Sequence, residues 1–180
     1  MSPDKDAAKR VICQILAASG GKLAGKTRLY KAFYFAHLYY WRDNTRFLTD
    51  YPIVRMPHGP GIENGDQLVN DLVSEGRIRV TRQPIGPYTE AVYELAQKFE
   101  VDPTDPQYLA VEEATQFVKD RTAAELTELT HEYSRSWQNI QSGDELDIYF
   151  DLLNDEEYER LKARSAEVRQ LVKGVFAPGD

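Results

Sequence analysis

The sequence predicts an α+β fold, mainly α-helical, with a central aromatic-rich helix, one β-hairpin and a set of C-terminal helices. Three observations carry that expectation. Residues 26–41, KTRLYKAFYFAHLYYW, hold seven of the chain's twenty aromatics: Tyr30, Phe33, Tyr34, Phe35, Tyr39, Tyr40 and Trp41. The apolar positions fall on two adjacent helical tracks, Leu29, Phe33, Ala36 and Tyr40 beside Tyr30, Tyr34, His37 and Trp41. A helix apolar around that much of its circumference belongs in the middle of a fold, with neighbours on several sides. Further on, residues 77–82 and 89–95 alternate apolar and polar residues around a Pro/Gly-rich turn, which is a hairpin pattern. The resulting order of helix, turn, helix and hairpin is that of a winged helix, a statement of topology and not of DNA binding.

Each element has a local reason. Asp4 or Asp6 caps a first helix that runs through Ala18 with Val11, Ile12, Ile15 and Leu16 inward, and Ser19-Gly20-Gly21 ends it. The central helix starts between Leu23 and Lys26 and runs to about Asp43, with Asn44 as its stop. Tyr51–Met56 is extended, because Pro52 and Pro57 forbid a helix, and His58-Gly59-Pro60-Gly61 makes a stiff turn. A helix from Ile62 or Asp66 to Glu75 turns Ile62, Val69, Leu72 and Val73 inward and stops at Gly76. The hairpin strands are Arg77–Arg82 and Thr89–Leu95, joined by a longer loop containing Pro84, Gly86 and Pro87.

The second half reads as helices. One opens at Asp105 or Pro106 and runs to Lys119 or Asp120, with Leu109, Ala114, Phe117 and Val118 apolar. Thr122 caps the next, and Glu125 three positions on completes a capping box; its apolar face is Leu126, Leu129 and Tyr133. Ser134–Gly143, which contains Trp137, is a short helix or loop, and Leu146–Tyr149 a short extended piece. The last helix opens at Asp155 and ends at Gly174 with a thin stripe of Tyr158, Leu161, Ser165, Val168, Leu171 and Val172. Residues 1–150 are expected to form one domain. Residues 151–180 form a C-terminal helical extension packed on it or on a partner.

Composition narrows the function classes. The chain carries 22 basic and 29 acidic residues for a net charge of -7, which speaks against a binder dominated by phosphate contacts and suits a basic partner. No apolar run approaches the ~20 residues that span a bilayer. The start, MSPDKDAAKR, lacks the basic-then-apolar layout of a secretory signal, so the expected location is cytoplasmic, with no membrane partner. The single cysteine, Cys13, lies in an apolar helical pattern and reads as a small core residue.

Several motifs invite chemistry. Gly20-Gly21-Lys22-Leu23-Ala24-Gly25-Lys26-Thr27 fits G-x-x-x-x-G-K-[ST], in which backbone amides cradle phosphates, the lysine reaches the β/γ oxygens and the threonine holds magnesium. That loop requires a preceding β-strand, and VICQILAAS is spaced as a helix instead. A P-loop-like nucleotide binder through Gly20–Thr27 is therefore an alternative reading. So is a winged-helix-type DNA-binding regulator, favoured by Arg77, Arg79 and Arg82 and opposed by the net charge. His37, His58 and His131 share no metal-binding spacing, and no nucleophile motif is present, so the expectation is no metal, no cofactor, no catalytic residue and not an enzyme.

Three segments have a pattern in common with a known family. In KTRLYKAFYFAH, Lys26, Leu29, Lys31, Tyr34, Phe35 and Ala36 stand at its motif positions, with Phe33 in place of a usual leucine. VRMPHGPGI holds a His-Gly-Pro turn at His58, Gly59 and Pro60, with Gly61 in place of a usual valine. LTELTHEYSRSWQNIQSGDELDIY supplies His131, Glu132, Trp137, Gly143, Asp144, Ile148 and Tyr149, without the proline usual before the last tyrosine. In order and spacing these resemble the Panacea domain family of SocA-like antitoxins, over about residues 10 to 150. The resemblance implies a bacterial or phage antitoxin of a toxin–antitoxin system. Such a protein neutralises a cognate toxin by direct protein–protein binding or delivers it to a protease as an adaptor. The implied partners are the toxin and a protease or chaperone, not a nucleic acid. Lys26, Lys31, Tyr34, His58, Gly59, Pro60, His131, Glu132 and Trp137 are the family-motif or partner-binding candidates.

Overall fold

A computed structural model describes residues 3–175, apart from the side chains of Arg169 and residues 171–175. Helix α1, Lys5–Ala18, is capped by Asp4, whose carboxylate accepts from the Ala7 amide. It buries Val11, Ile12, Ile15 and Leu16, and Cys13 beside them. Helix α2, Lys26–Asn44, is the centre of the molecule and ends at Thr45, whose left-handed backbone returns its amide to the Trp41 carbonyl. Leu29, Tyr30, Phe33, Tyr34, Ala36 and Tyr40 are buried there, while Phe35, Tyr39 and Trp41 are half-buried.

Between these helices lies β1, Lys22–Ala24. After α2 come β2, Ile53–Met56, and β3, Gly59–Ile62, then α3, Gly65–Ser74, then the long hairpin β4, Ile78–Ile85, and β5, Tyr88–Leu95. β1, β5 and β4 form an antiparallel sheet in that order, and β2 and β3 form a second, two-stranded one. The remaining helices are α4, Pro106–Lys119, α5, Ala123–Tyr133, α6, Arg135–Gln138, and α7, Asp155–Val175. The fold is thus mixed and mostly helical. α2 touches α1, α4, α5, β1, β3 and β5, so the aromatic helix is wrapped on all sides. Against α4 the contact is aromatic, with Phe35 edge-on to Phe117 at 4.9 Å between ring centres.

Several expectations are corrected. There are two hairpins, not one, and β1 was not anticipated. The segment His58-Gly59-Pro60-Gly61 is not a turn: Gly59–Ile62 is a strand pairing Met56 with Gly59 and Arg55 with Pro60, and Pro57-His58 makes the reversal. Glycine and proline read as loop in a sequence, yet here they line a buried edge where no larger residue fits and where Pro60 needs no ladder donor. Ile62 accordingly belongs to β3 and not to the following helix. The long hairpin closes through only Gly86 and Pro87, with Pro84 inside β4 opposite Thr89. A positive φ of 55° at Gly86 suits a two-residue turn between twisted strands, and β4 is an edge strand that tolerates a proline. Leu146–Tyr149 is extended only at its start, where the Leu146 amide reaches the Ile53 carbonyl; Ile148–Leu152 is a 3₁₀ turn capped by Asp147. Val73, Leu109 and Tyr133, expected inward, are 42%, 46% and 65% exposed. The capping box of Thr122 and Glu125 is present.

Helix α7 meets the rest of the molecule near its start. The Asn139 amide donates to the Tyr158 hydroxyl at 3.0 Å, and Arg135 pairs with Asp155 and lies over the Tyr158 ring. Leu161 is half-buried and Val168 51% exposed. Leu171 and Val172 of the expected stripe lie outside the described side chains.

Candidate functional site

The reversal between β2 and β3 is held by side chains from three helices. Its carbonyls at Met56, Pro57 and Pro60 each accept one side-chain hydrogen bond. Trp137 of α6 donates its indole N–H to Met56 at 2.8 Å. His131 of α5 donates from Nε2 to Pro57 at 3.1 Å. Lys31 of α2 donates Nζ to Pro60 at 2.8 Å. His131 also stacks on Trp137, 4.1 Å between ring centres and 16° from parallel. The Arg55 guanidinium lies 4.3 Å from the same indole and donates to the Ile140 carbonyl. Such bonds contribute about 1 kcal/mol each in net terms, so together they fix the reversal firmly.

Lys31 is 2% exposed, and among the described residues its amine has one hydrogen-bond partner, the Pro60 carbonyl. Burial lowers its pKa to about 7. Gly59 passes so close that a Cβ there would lie 2.3 Å from Thr130 Oγ1 and 2.7 Å from Lys31 Nζ. Only glycine lets the strand reach the amine. Tyr34 belongs to a neighbouring knot, where its hydroxyl donates to Asp151 at 2.7 Å. The same carboxylate accepts from the Ser134 and Ser136 hydroxyls and the Ser136 amide. Burial and the Asp151 charge push the Tyr34 hydroxyl well up, so it remains a donor.

His37 is structural in the same sense. Its Nδ1–H donates to the Phe33 carbonyl at 2.8 Å, and Nε2 accepts from the Thr49 hydroxyl at 3.0 Å. Burial lowers its pKa to about 4, which keeps the ring neutral. It lines a small pocket of about 360 Å³ with Thr49, Asp50 and Asp147, away from the other candidates.

The candidates therefore fall into two groups. Lys31, Tyr34, Gly59 and Pro60 are buried and hold the frame. His58 and Glu132 are exposed and His131 partly so, and all three line one open groove of about 1200 Å³ with Thr127, Glu128 and Tyr88. Lys26 stands apart, in an ion pair with Asp66 at 2.6 Å. It lines a second groove of about 790 Å³ between α3 and the long hairpin. The phosphate-loop geometry is not present around it: a helix precedes Gly20, residues 22–24 are a strand, and the Gly25 amide is committed to the Ala91 carbonyl. Among residues not named as candidates, Asp151, Arg55, Thr130 and Glu128 shape the site. Arg55 stands three residues before His58, and Glu128 and Thr130 share α5 with His131 and Glu132, so each lay in a segment with a pattern; Asp151 meets Tyr34 only through the tertiary fold.

A mostly helical frame thus clamps one hairpin reversal beside an open groove. The family model of the SocA-like antitoxin Panacea domain matches residues 29–138. That span is more than half of the chain, and the chain belongs to this family. Membership ties it to toxin–antitoxin systems and implies a toxin as partner. The matched span holds Lys31, Tyr34, the His58–Pro60 strand, His131, Glu132 and Trp137, while Lys26 and the Gly143–Tyr149 part of the late motif lie outside it. No curated protein matches the chain, and no solved structure does. Among the described residues, no helix is long and apolar enough to cross a membrane.

Proposed function

We propose that this chain is the cytoplasmic antitoxin of a toxin–antitoxin pair and that it neutralises its toxin by direct binding. The observation that supports this best is the clamp on the β2–β3 reversal. Three donors on three carbonyls hold His58 in a fixed place at the groove that His131 and Glu132 also line. A surface ordered in advance loses little entropy when a partner arrives, which favours affinity. In this reading His58, His131 and Glu132 face the partner, Lys31, Tyr34, Gly59, Pro60 and Trp137 position them, and Lys26 borders the adjoining groove. Residues 1–150 act as the Panacea unit, with α7 as an extension.

The DNA-regulator reading has one point in its favour. The order α1, β1, α2, α3, β4, β5, with β1 beside β5, is the order a winged helix with β2–β3 inserted would have. The helix that would enter the groove is α3, however, and it exposes Asp66, Gln67, Asn70 and Ser74, with no lysine or arginine along Gly65–Ser74. Carboxylates facing phosphates oppose binding.

The test is coexpression with the product of the adjacent gene. A stable complex that restores growth is expected. No complex and no rescue would sink the proposal. A toxin whose level falls only when a cellular protease is present would assign the adaptor route.

A further inference from the structure

The two grooves are one cleft: both are lined by Thr27, Thr89 and Ala123. It runs from His58 and α5, beneath the tip of the long hairpin, to α3. Its two ends differ in chemistry. At the α5 end stand Glu128 and Glu132, one helical turn apart, exposed and without an ion pair among the described residues. Like charges at that spacing repel each other on a helix, and a cation between them relieves the repulsion. At the other end the cleft is edged by apolar side chains left in water. Val73 is 42% exposed, Val80 39%, Ile85 49% and Tyr88, at the hairpin tip between the ends, 75%. Among the described residues these are four of the eight large hydrophobic side chains that stand out as exposed, and they come from α3 and from the two strands of the long hairpin. Apolar surface gathered in this way marks a contact surface, not chance exposure. Arg82 lies among them, also with no ion pair among the described residues.

Resting on the antitoxin reading, we propose that this cleft is where the toxin docks. The docking segment places a lysine or arginine between Glu128 and Glu132 and apolar side chains against Val73, Val80, Ile85 and Tyr88. A carboxylate of the toxin falls near Arg82. The charge pattern sets the direction in which the segment lies.

The experiment measures binding of the full chain to the product of the adjacent gene, in an inactivated form. The variants are Glu128→Lys with Glu132→Lys, Val80→Asp with Ile85→Asp, and Leu109→Asp as a control on α4, where Leu109 is exposed and lines neither groove. Circular dichroism verifies folding. Both cleft variants are expected to weaken binding about tenfold or more, and Leu109→Asp to leave it unchanged. Loss of the glutamates should also flatten the salt dependence of the association rate, which a merely structural effect would not do. Hydrogen exchange on the wild-type complex is expected to show protection over residues 80–91 and 123–132, and this holds even if a variant misfolds. If wild type binds and the cleft variants bind equally, or if protection lies elsewhere, the cleft assignment is overturned while the antitoxin reading stands. If wild type does not bind at all, both fall. If the cleft variants instead dissociate a dimer of this chain, the occupant is a second copy and the proposal is wrong.

Discussion

Lys31 is a buried amine whose one hydrogen-bond partner among the described residues is a carbonyl, and its proton has consequences. Burial lowers its pKa from 10.5 to about 7 in the folded state. Between those values the unfolded chain holds the proton and the folded chain does not, so stability rises with pH across that window. Below pH 7 both states are protonated, and the folded state bears the full cost of the buried cation. The window closes near pH 10. There Tyr30, Tyr34 and Tyr93, all pushed up by burial, Tyr93 to about 12, begin to ionise in the unfolded chain first. We expect Lys31→Met to melt at a higher temperature than wild type at pH 6, although it forfeits a hydrogen bond of about 1 kcal/mol. It should also lose the stability gain between pH 7 and 10, and it should bind the toxin more weakly because the reversal loosens. Thermal melts across pH decide this; a lower melting temperature at pH 6 with the slope intact would disprove it.

At the level of elements, the β2–β3 hairpin depends on Gly59 twice over. Its φ is +96°, and the space a side chain would need is taken by Thr130 and Lys31. Gly86, at the tip of the long hairpin, also has a positive φ, but nothing stands within 4 Å of its missing side chain. Gly86→Ala should therefore cost about 1–2 kcal/mol from backbone strain alone. Gly59→Ala should cost more than about 3 kcal/mol, because the strand must also move. Urea unfolding of the two variants is the check, and equal costs would mean that the close approach is not rigid. The same contrast explains what the sequence could reveal. The caps at Asp4, Asp105 and Thr122 and the apolar tracks of α1 and α2 are local, so they were legible residue by residue. Strand β3 was not, because Gly-Pro-Gly is a turn signal unless a lysine from another helix and a tryptophan from a third make a buried edge of it. The site was half legible. His58, His131 and Trp137 stand in segments with a recognisable pattern. Asp151, which gathers Tyr34, Ser134 and Ser136, has no pattern to reveal it.

Across the whole molecule, α7 is the least attached part. Its described contacts to the body come from Asp155 and Tyr158 with Arg135, Asn139 and Phe150. A chain ending at Asn154 is expected to fold, with the melting temperature lowered by a few degrees. What it gives up is an exposed ion pair, worth about 1 kcal/mol or less, the hydrogen bond from Asn139 to Tyr158, and the contacts of the Tyr158 ring with Arg135 and Phe150. Loss of cooperative unfolding in that truncation would show that α7 belongs to the domain.

The clamp on the reversal also sets a timetable. Trp137 reaches back 81 residues to Met56, and Tyr34 reaches forward 117 to Asp151. The groove is therefore unfinished until Asp151 has left the ribosome. At about 5–20 residues per second, the stretch between Met56 and Trp137 alone takes several seconds to synthesise. If the chain neutralises a toxin as proposed, a partially translated copy offers no guard, and each molecule becomes competent in one late step. Protection would then depend on finished copies already in the cell, not on those still being made.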